Sequence, residues 1–248
     1  MPRIIIFKEK AVVVDGKERV VTKQTVRRVM QDEGIAHTQY GEISLNLGKG
    51  SIQGKDYSII PSGFADEWRA LERGAQIITE KDVGCIIATT GIGKDSIVGD
   101  AGSGSGSLAC GLARVAKKVY SYDVDEKAVE LCKKNAKKLD LDNVTFALGD
   151  ITKKLSKKNF DVFILDLKQS WTALDEVVKG VKAGGWIVSY NSSIPSVSEF
   201  VNACRQRDDV LFVKTTELMQ RQWKIRGLTA RPSNTVLHTG FLSFVRRL

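Results

Sequence analysis

Residues 97–108 of this chain are Ile97-Val98-Gly99-Asp100-Ala101-Gly102-Ser103-Gly104-Ser105-Gly106-Ser107-Leu108. A short apolar run gives way to three glycines at alternate positions, and an apolar, helix-compatible segment follows. Glycine adopts positive φ without steric cost and leaves room for a bulky group against the backbone. The pattern therefore predicts a strand, a tight ligand-holding turn and a helix. The N–H groups and dipole at the start of that helix favour a nucleotide-like or carboxylate-bearing ligand.

An acidic residue ends the next predicted strand, at a spacing typical of nucleotide-binding βαβ units. Asp123 stands 21 positions after Gly102, where a carboxylate can accept both hydroxyls of a ribose. The turn reads G-x-G-x-G, which differs from the dinucleotide fingerprint G-x-G-x-x-G. Asp100, two residues before the first glycine, is unfavourable beside a pyrophosphate and favourable beside an amine or a sulfonium. A structural glycine turn and a nicotinamide site remain alternatives at this point.

The glycine turn resembles the first motif of class I S-adenosylmethionine-dependent methyltransferases. In that class a preceding loop covers the cofactor, which implicates Gln76, and the acid after the third strand lies beside the cofactor adenine, which is the position of Asp150. A loop or cap role is the alternative for Asp150. The resemblance and the spacing together predict S-adenosylmethionine contacts from Gln76, Asp100, Gly102, Ser103, Gly104, Ser105, Gly106, Asp123 and Asp150.

Strands and helices alternate regularly from residue 97 onwards. The predicted strands are 97–100, 119–123, 144–148, 160–165 and 186–190, and the predicted helices are 107–117, 126–139, 172–182 and 197–206. Such alternation predicts an α/β fold with a doubly wound, Rossmann-like parallel sheet, with ligands at the carboxyl ends of the strands. Two final strands, near 210–216 and 239–246, are expected to close the sheet as an antiparallel hairpin.

The N-terminal quarter of the chain has a different pattern, with short β segments separated by turns. Asp15-Gly16 lies between two apolar runs and predicts a hairpin. We therefore expect a small β domain over residues 1–62 and a methyltransferase catalytic domain over residues 63–248.

The composition limits the possible classes of protein. Of 248 residues, 42% are hydrophobic and 27% charged, and no apolar run approaches 18 residues, so we expect a soluble, cytoplasmic protein without a membrane span. The four cysteines lack paired ligand spacing and there are only two histidines. This favours buried thiols, with a disulfide as the alternative, and argues against a metal site.

The positive charge is concentrated at the C-terminal end. The net charge is +9, and residues 201–248 carry 9 basic and 3 acidic residues. A solvated basic face would account for this excess, but a surface that binds a polyanion, such as nucleic acid, accounts for it too.

Motifs elsewhere in the chain narrow the resemblance to one family. They are Gly74-Ala75-Gln76-Ile77-Ile78 with Lys81-Asp82, Asp166-Leu167 with Trp171, Arg221-Gln222-Trp223-Lys224, Arg231-Pro232 and His238-Thr239-Gly240-Phe241-Leu242. Together with the glycine turn and the N-terminal His37-Thr38, they resemble the tRNA (adenine-N1)-methyltransferases, which modify adenine 58 of the T loop; archaeal members also modify position 57. The resemblance implies a tRNA substrate and a homotetramer. This chain has Asp100 where the family has glutamate, and Lys168 and Ser170 where the family has prolines.

Asp166 ends the fourth predicted strand, which in the resembled fold faces the transferred methyl group. We expect Asp166 to be the catalytic residue, accepting a hydrogen bond from the exocyclic amino group of a flipped adenine so that N1 is oriented for attack. A structural hydrogen-bonding role is the alternative. The rival functions are a class I methyltransferase of another substrate, a non-catalytic tRNA-binding subunit and, more distantly, a nicotinamide oxidoreductase.

Overall fold

The computed structural model describes residues 2–8, 10–14, 17–22, 25–29, 33–72, 74, 77–226, 229–233 and 238–248. The chain divides into two compact units, Met1–Ala70 and Leu71–Leu248. The predicted hairpin turn at Asp15-Gly16 and the predicted cofactor contact Gln76 lie outside the described residues.

The first unit consists of antiparallel strands and one short helix. Its elements are β1 (Arg3–Phe7), β2 (Lys10–Val14), β3 (Lys17–Thr22), β4 (Thr25–Val29), β5 (Ile35–Thr38), β6 (Gly41–Ser44), β7 (Gly48–Ile52), β8 (Lys55–Pro61) and α1 (Phe64–Arg69). One sheet has the order β4-β1-β8-β7, while β2 pairs with β3 and β5 with β6. Ile5, Phe7, Ile43 and Ile59 are buried together in its core. The small N-terminal β region expected from the sequence is confirmed.

The second unit alternates strands and helices, as predicted. Its elements are α2 (Glu80–Thr90), β9 (Ile97–Ala101), α3 (Ser107–Ala113), β10 (Lys118–Asp123), α4 (Glu126–Lys138), β11 (Val144–Leu148), β12 (Phe160–Leu165), a 3-10 helix (Ser170–Ala173), α5 (Leu174–Gly180), β13 (Val181–Asn191), α6 (Ile194–Arg205), β14 (Val210–Glu217), β15 (Trp223–Arg226), β16 (Thr229–Pro232) and β17 (Phe241–Arg247).

The seven-stranded sheet of this unit has the order β11-β10-β9-β12-β13-β17-β14. The neighbouring strands from β11 to β13 pair in parallel, whereas β17 is antiparallel to both β13 and β14. The chain therefore winds in one direction from β9 to β11 and in the other from β12 onwards. The strand order reverses between β9 and β12, and the carboxyl ends beside this reversal are where doubly wound sheets bind ligands.

Apolar side chains bury the central strands on both faces. In β12, Val162, Phe163, Ile164 and Leu165 are all at most 2% exposed, and a continuous apolar run of this kind is typical of parallel strands covered by helices on both sides. Phe163 belongs to a core that also contains Phe200 of α6. This packing holds the carboxyl ends of β9 and β12 at a fixed separation.

Helix boundaries are where the sequence predictions were least accurate. The predicted helix 197–206 begins three residues earlier than expected, at Ile194, because Ser193 caps it by accepting a hydrogen bond from the Ser196 N–H. The predicted helix 107–117 ends at Ala113. There the distant Asn143 side chain donates hydrogen bonds to the carbonyls of Ala113 and Ala116, which helical periodicity does not reveal.

Candidate functional site

The glycine turn has the backbone that its sequence predicts. Gly102, Gly104 and Gly106 all have positive φ, at 89°, 56° and 75°. The backbone N–H groups of Gly102 and Ser103 donate to the carbonyl of Tyr122 in β10, at 2.9 and 3.3 Å. A Cβ atom placed on Gly102 would lie 2.1 Å from the carbonyl oxygen of Asp166. The turn thus passes directly against the end of β12, and a side chain at position 102 would push the two apart.

Asp123 stabilises the turn as well as bordering the space around it. Its Oδ2 accepts from the Gly104 N–H at 3.0 Å, and its Oδ1 accepts from the Asp125 N–H at 3.0 Å. The sequence spacing predicted a ribose acceptor and did not predict these two backbone contacts. A carboxylate oxygen has two lone pairs, so each oxygen keeps an acceptor position for a ligand.

Asp100 lies inside the sheet, beside Ser121 of β10 and Ile164 of β12. Its side chain is 1% exposed. Oδ2 accepts from the Ser121 hydroxyl at 2.6 Å, and Ser121 is in turn 2.6 Å from the Ser103 hydroxyl. Burial raises the pKa of Asp100 to about 7, partly opposed by the Ser121 hydrogen bond and reinforced by the negative charges of Asp166 and Asp123.

Two buried oxygen atoms beside the turn have no hydrogen-bond partner among the described residues. They are Oδ1 of Asp100 and Oγ of Ser105. A buried polar atom without a partner costs on the order of 1–3 kcal/mol. A ligand that brought positive charge or N–H groups to this place would remove part of that cost. These two oxygens therefore fit a cofactor that carries an amine and a sulfonium.

Two cavities adjoin the turn, and Gly102 and Asp123 border both of them. The turn cavity, of about 310 Å³, is bordered by Ile77, the glycine turn, Leu108 and Asp166. The strand-end cavity, of about 410 Å³, is bordered by Tyr122, Asp150, Ile151 and Leu167. Together they bring the predicted contacts Gly102, Ser103, Gly104, Ser105, Asp123 and Asp150 to one continuous region. Such a region, partly apolar with a few convergent polar groups, is typical of a cofactor site.

Asp150 borders a cavity and also makes the local hydrogen bonds of a loop residue. It borders the strand-end cavity, yet its Oδ1 also accepts from the Thr152 hydroxyl at 2.6 Å and from the Thr152 N–H at 3.1 Å. These contacts, with Lys153, hold the pKa of Asp150 below its usual value. Asp150 is therefore an ionised acceptor at neutral pH.

Asp166 borders two cavities, the turn cavity and a third cavity beside β13. The half-buried Asp166 is fixed by its backbone N–H, which donates to the carbonyl of Ala101 at 2.9 Å. It borders both the turn cavity and a cavity of about 350 Å³ along β13, the β13 cavity. Burial raises the pKa of its carboxyl to about 7. Asp166 can therefore gain or lose a proton near neutral pH.

The β13 cavity contains residues that sequence reasoning did not identify as part of the site. Tyr190, Asn191, Ser192, Ser193 and Ser196 border it together with Lys168 and Thr239. The Tyr190 hydroxyl donates to the carbonyl of Thr239 at 2.7 Å. Tyr190 and Asn191 lie at the carboxyl end of β13, and this position in a parallel sheet would have been enough to identify them as candidate site residues.

Ser170, which replaces a proline of the resembled family, belongs to a buried polar network. The Ser189 hydroxyl donates to Ser170 Oγ at 2.7 Å, and the Asn191 amide lies 3.3 Å from the same oxygen. Lys168, the other replacement, is exposed and borders both the strand-end and β13 cavities. Ser170 thus makes local hydrogen bonds that a proline could not make. Lys168 adds a positive charge at the border of the two cavities.

All four cysteines are free thiols, and Cys110, Cys132 and Cys204 are buried. Among the described residues, no group of three or more His, Cys, Asp or Glu side chains is arranged so that it could hold a metal ion. In the same part of the chain, no helix has the length and apolar character needed to cross a membrane.

Known proteins are similar to this chain in sequence over nearly its whole length. The tRNA (adenine(57)-N(1)/adenine(58)-N(1))-methyltransferase TrmI of Methanocaldococcus jannaschii is 26% identical over 272 residues, which cover 97% of this chain and 95% of that protein. The tRNA (adenine(58)-N(1))-methyltransferase TrmI of Thermus thermophilus is 27% identical over 231 residues, covering 88% of this chain and 90% of that protein. These relatives confirm the family resemblance seen in the sequence motifs.

Solved structures and a family model agree with the architecture. A S-adenosylmethionine-dependent O-methyltransferase from Thermotoga maritima has a TM-score of 0.81 and 23% identity, covering 99% of this chain and 92% of its own. At that identity the likeness concerns the fold, and it confirms the predicted class I methyltransferase architecture. A family model described as a methyltransferase domain matches residues 92–226, more than half of the chain. The glycine turn and the adjoining cavities lie largely inside that match, and the chain belongs to the methyltransferase-domain family.

Proposed function

We propose that this protein transfers a methyl group from S-adenosylmethionine to N1 of adenine 58 in the T loop of tRNA, with the neighbouring position 57 as a second target. One observation carries the proposal furthest: Asp166 borders both the turn cavity and the β13 cavity. A group in this position can contact an acceptor in one cavity while a methyl donor occupies the other. The names of the Methanocaldococcus and Thermus relatives supply the identity of the acceptor.

The turn and strand-end cavities would hold the cofactor. Asp123 would accept the ribose hydroxyls and Asp150 would lie beside the adenine amino group. The glycine turn, its serines and Gln76 would hold the methionine portion, near the unpartnered oxygens of Asp100 and Ser105. When bound, S-adenosylmethionine supplies an electrophilic methyl group on a positively charged sulfur.

The β13 cavity would receive the target adenine. Asp166 would accept a hydrogen bond from the exocyclic amino group, which fixes the direction of the N1 lone pair. Complete positioning of two reactants can supply roughly 7–11 kcal/mol of barrier reduction, and this hydrogen bond would contribute part of it. Methylated adenine carries a positive charge, so an ionised Asp166 would stabilise it and could take up the amino proton.

The activity should depend on pH through Asp166. The ionised carboxylate is the form that accepts the hydrogen bond, and burial raises its pKa to about 7. We therefore expect kcat/KM for tRNA to fall as the pH drops through about 7, with a slope near one. The pH profile of kcat/KM reports groups of the free enzyme. The inflection should persist in Asp150→Asn, whose carboxyl has a lowered pKa, and vanish in Asp166→Asn. An inflection that survives Asp166→Asn would belong to another group, such as Asp100.

The β15–β16 hairpin would bind RNA phosphates. Lys224 and Arg231 stand directly opposite each other on its two strands, and both are exposed. Like charges in opposite positions are unfavourable in the free protein, and a phosphate between them would offset the repulsion. Unstacking the target base of the tRNA costs a few kcal/mol, and the free energy of these phosphate contacts would help to offset that cost.

We expect Lys224→Ala with Arg231→Ala to weaken tRNA binding and to reduce its salt dependence. Each lost phosphate contact lowers the slope of log K against log salt by about 0.9, so the double variant should lose a slope of about 1.8. Fluorescence titrations at several salt concentrations measure the slope. Lys133→Ala is the control, since Lys133 pairs with Glu130 on α4. An unchanged slope in the double variant would exclude the hairpin from the RNA interface.

We also propose that the protein is a cytoplasmic homotetramer, and the homotetramer rests on the family resemblance. The Dictyostelium discoideum relative is named a catalytic subunit, so a requirement for a second kind of chain is the competing possibility. Light scattering after size exclusion of the purified chain, alongside its activity, separates the two. A chain that is inactive alone and active only with a second protein would exclude the homotetramer.

Mapping the product tests the proposed reaction directly. The purified protein is incubated with S-adenosylmethionine and an unmodified tRNA transcript, and mass spectrometry locates the methylated nucleoside. We expect 1-methyladenosine at position 58, and no product there when adenine 58 is replaced by uridine. A transcript with position 57 replaced decides the second target. Methylation of a protein or a small metabolite but not of tRNA would favour the rival methyltransferase function, and absence of cofactor binding would favour a non-catalytic subunit.

A further inference from the structure

A buried ion pair at the start of α2 has no role in the chemistry described above. The Asp82 carboxylate is 0% exposed and accepts three hydrogen bonds, from the Lys81 ammonium at 2.7 Å, the Thr79 hydroxyl at 2.8 Å and the Thr239 hydroxyl at 2.8 Å. The Lys81 side chain is 11% exposed. Since Lys81 and Asp82 are adjacent in sequence, their pairing alone brings no distant parts of the chain together.

Thr239 is the link to another part of the fold. Its hydroxyl donates to Asp82 and accepts from the Lys81 ammonium at 2.7 Å. The connection spans 157 residues, from the N-terminal end of α2 to the segment that precedes β17. Both hydrogen-bonding functions of one hydroxyl are therefore used to hold this segment against the ion pair.

The segment held in this way forms a wall of the β13 cavity. Thr239 borders that cavity, and its carbonyl accepts the Tyr190 hydroxyl. The Tyr190 ring lies against Gly240 so closely that a Cβ there would be 2.4 Å from the ring Cζ. Burial, with lesser effects from the charges of Asp82 and Asp166, raises the pKa of Tyr190 to about 12. Tyr190 is thus hydrogen-bonded to the residue that contacts the ion pair, and it borders the same cavity as Asp166.

The same ion pair adjoins the cofactor side of the site. Ile77, which precedes the N-cap Thr79 of α2 by two residues, borders the turn cavity. The start of α2 is therefore near the turn cavity, while its hydrogen bonds reach the β13 cavity. A fully satisfied buried polar network specifies a single arrangement of the groups that it joins.

We propose that Lys81, Asp82 and Thr239 are positioning residues, which fix Tyr190 and the Thr239 backbone as a rigid wall for the acceptor base opposite Asp166. This inference rests on the proposed function, because it assigns the β13 cavity to the acceptor. Lys81 and Asp82 do not border that cavity in the part of the chain that the structure describes. Their effect on the acceptor would therefore pass through Thr239.

The test compares Thr239→Val, which removes the hydroxyl at nearly constant volume, with Thr239→Ser, which retains it. We expect Thr239→Val to lower kcat/KM for tRNA about 10-fold or more, since a misplacement of about 1 Å can cost on the order of 10²-fold. The Kd of S-adenosylmethionine, measured by calorimetry, should not change. Thr239→Ser should restore kcat/KM to near the wild-type value. A loss in both variants, or in neither, would overturn the inference.

Lys81→Met tests the step through Thr239, and the chain offers a matched control. Lys94 and Asp95 are also an adjacent ion pair, but their side chains are 89% and 83% exposed, so Lys94→Met should behave as wild type. Lys81→Met should lower kcat/KM for tRNA, and combining it with Thr239→Val should add little, because residues of one network are not additive. Additive losses would overturn the inference.

A loss of activity caused by misfolding, and a failure of the proposed function itself, can both be distinguished from a failure of the positioning role. Lys81→Met leaves the buried Asp82 charge with one partner fewer, which lowers stability, whereas Thr239→Val keeps the ion pair and supports the test alone if Lys81→Met does not fold. A wild-type protein that does not methylate tRNA would refute the proposed function. A wild-type protein that methylates tRNA, together with a fully active Thr239→Val, would refute only the positioning role.

Discussion

Asp166→Asn is expected to lower kcat/KM for tRNA by on the order of 10²-fold, the scale of losing one preorganised electrostatic contact to a transition state. Asparagine keeps an oxygen that can accept from the adenine amino group, but it has no charge to stabilise the methylated base and cannot take a proton. Asp166→Ala removes the acceptor as well and should lose more. Steady-state methylation of an unmodified transcript measures both variants.

Measuring cofactor binding is the control that distinguishes a loss of catalysis from a loss of S-adenosylmethionine binding. The Asp166 backbone N–H, which the substitutions keep, anchors the end of β12 to Ala101, so calorimetry should find S-adenosylmethionine bound by both variants. Asp95→Asn, at a side chain that is 83% exposed, should have wild-type activity. Near-full methylation by Asp166→Ala with unchanged cofactor binding would show that the catalytic assignment is wrong.

Gly102→Ala should abolish most of the cofactor affinity and also destabilise the fold. The added methyl would lie 2.1 Å from the carbonyl oxygen of Asp166, at a φ of +89°. Positive φ costs an alanine about 1–2 kcal/mol, and forcing an atom into a packed site costs about 1–3 kcal/mol more. We expect the free energy of unfolding to fall by the sum of the two, about 2–5 kcal/mol.

Gly91→Ala separates the two causes. Gly91 ends α2 with a φ of +72°, and a Cβ there would have no atom within 4 Å. This variant should lose only the conformational part of the unfolding free energy and should bind S-adenosylmethionine normally. Urea unfolding and calorimetry measure the two quantities. If Gly102→Ala bound the cofactor as tightly as Gly91→Ala, the turn would not form the cofactor site.

Local sequence patterns predicted the conformation of the glycine turn and the neighbouring position of Asp123 well. The alternate glycines predicted a turn with positive φ, and all three glycines have it. The spacing to Asp123 placed a carboxylate beside that turn, because a βαβ unit has a nearly constant length. The predicted strands 144–148 and 160–165 coincide with β11 and β12, since continuous or alternating apolar runs mark strands clearly.

Contacts between distant segments account for what the sequence could not predict. The sequence predicted the antiparallel pairing of the two final strands, now β14 and β17. It did not predict that β17 lies on the inner side, next to β13, because that order depends on pairing preferences across the whole sheet. Thr239, which borders the β13 cavity, donates a hydrogen bond to Asp82, and no short motif relates these two residues. Helix ends were also missed, because Asn143 and Ser193 act on them through side-chain hydrogen bonds. The wall of the β13 cavity is therefore a product of tertiary structure, whereas the glycine turn and the carboxylate beside it are largely encoded locally.

The placement of β17 has a consequence for the order of events during biosynthesis. Its residues, Phe241–Arg247, are inserted between two strands that leave the ribosome earlier. A nascent chain can form the glycine turn and the neighbouring parallel strands, including β13 beside β12, while translation continues. In contrast, β14 joins the sheet through β17, so it can pair only after β17 has been made. Long-range strand pairing of this kind is slow and leaves edges exposed to aggregation. Under the proposed function, a translating chain would become able to hold a donor before it could seat an acceptor, so competence for RNA modification would arise only after β17 emerges.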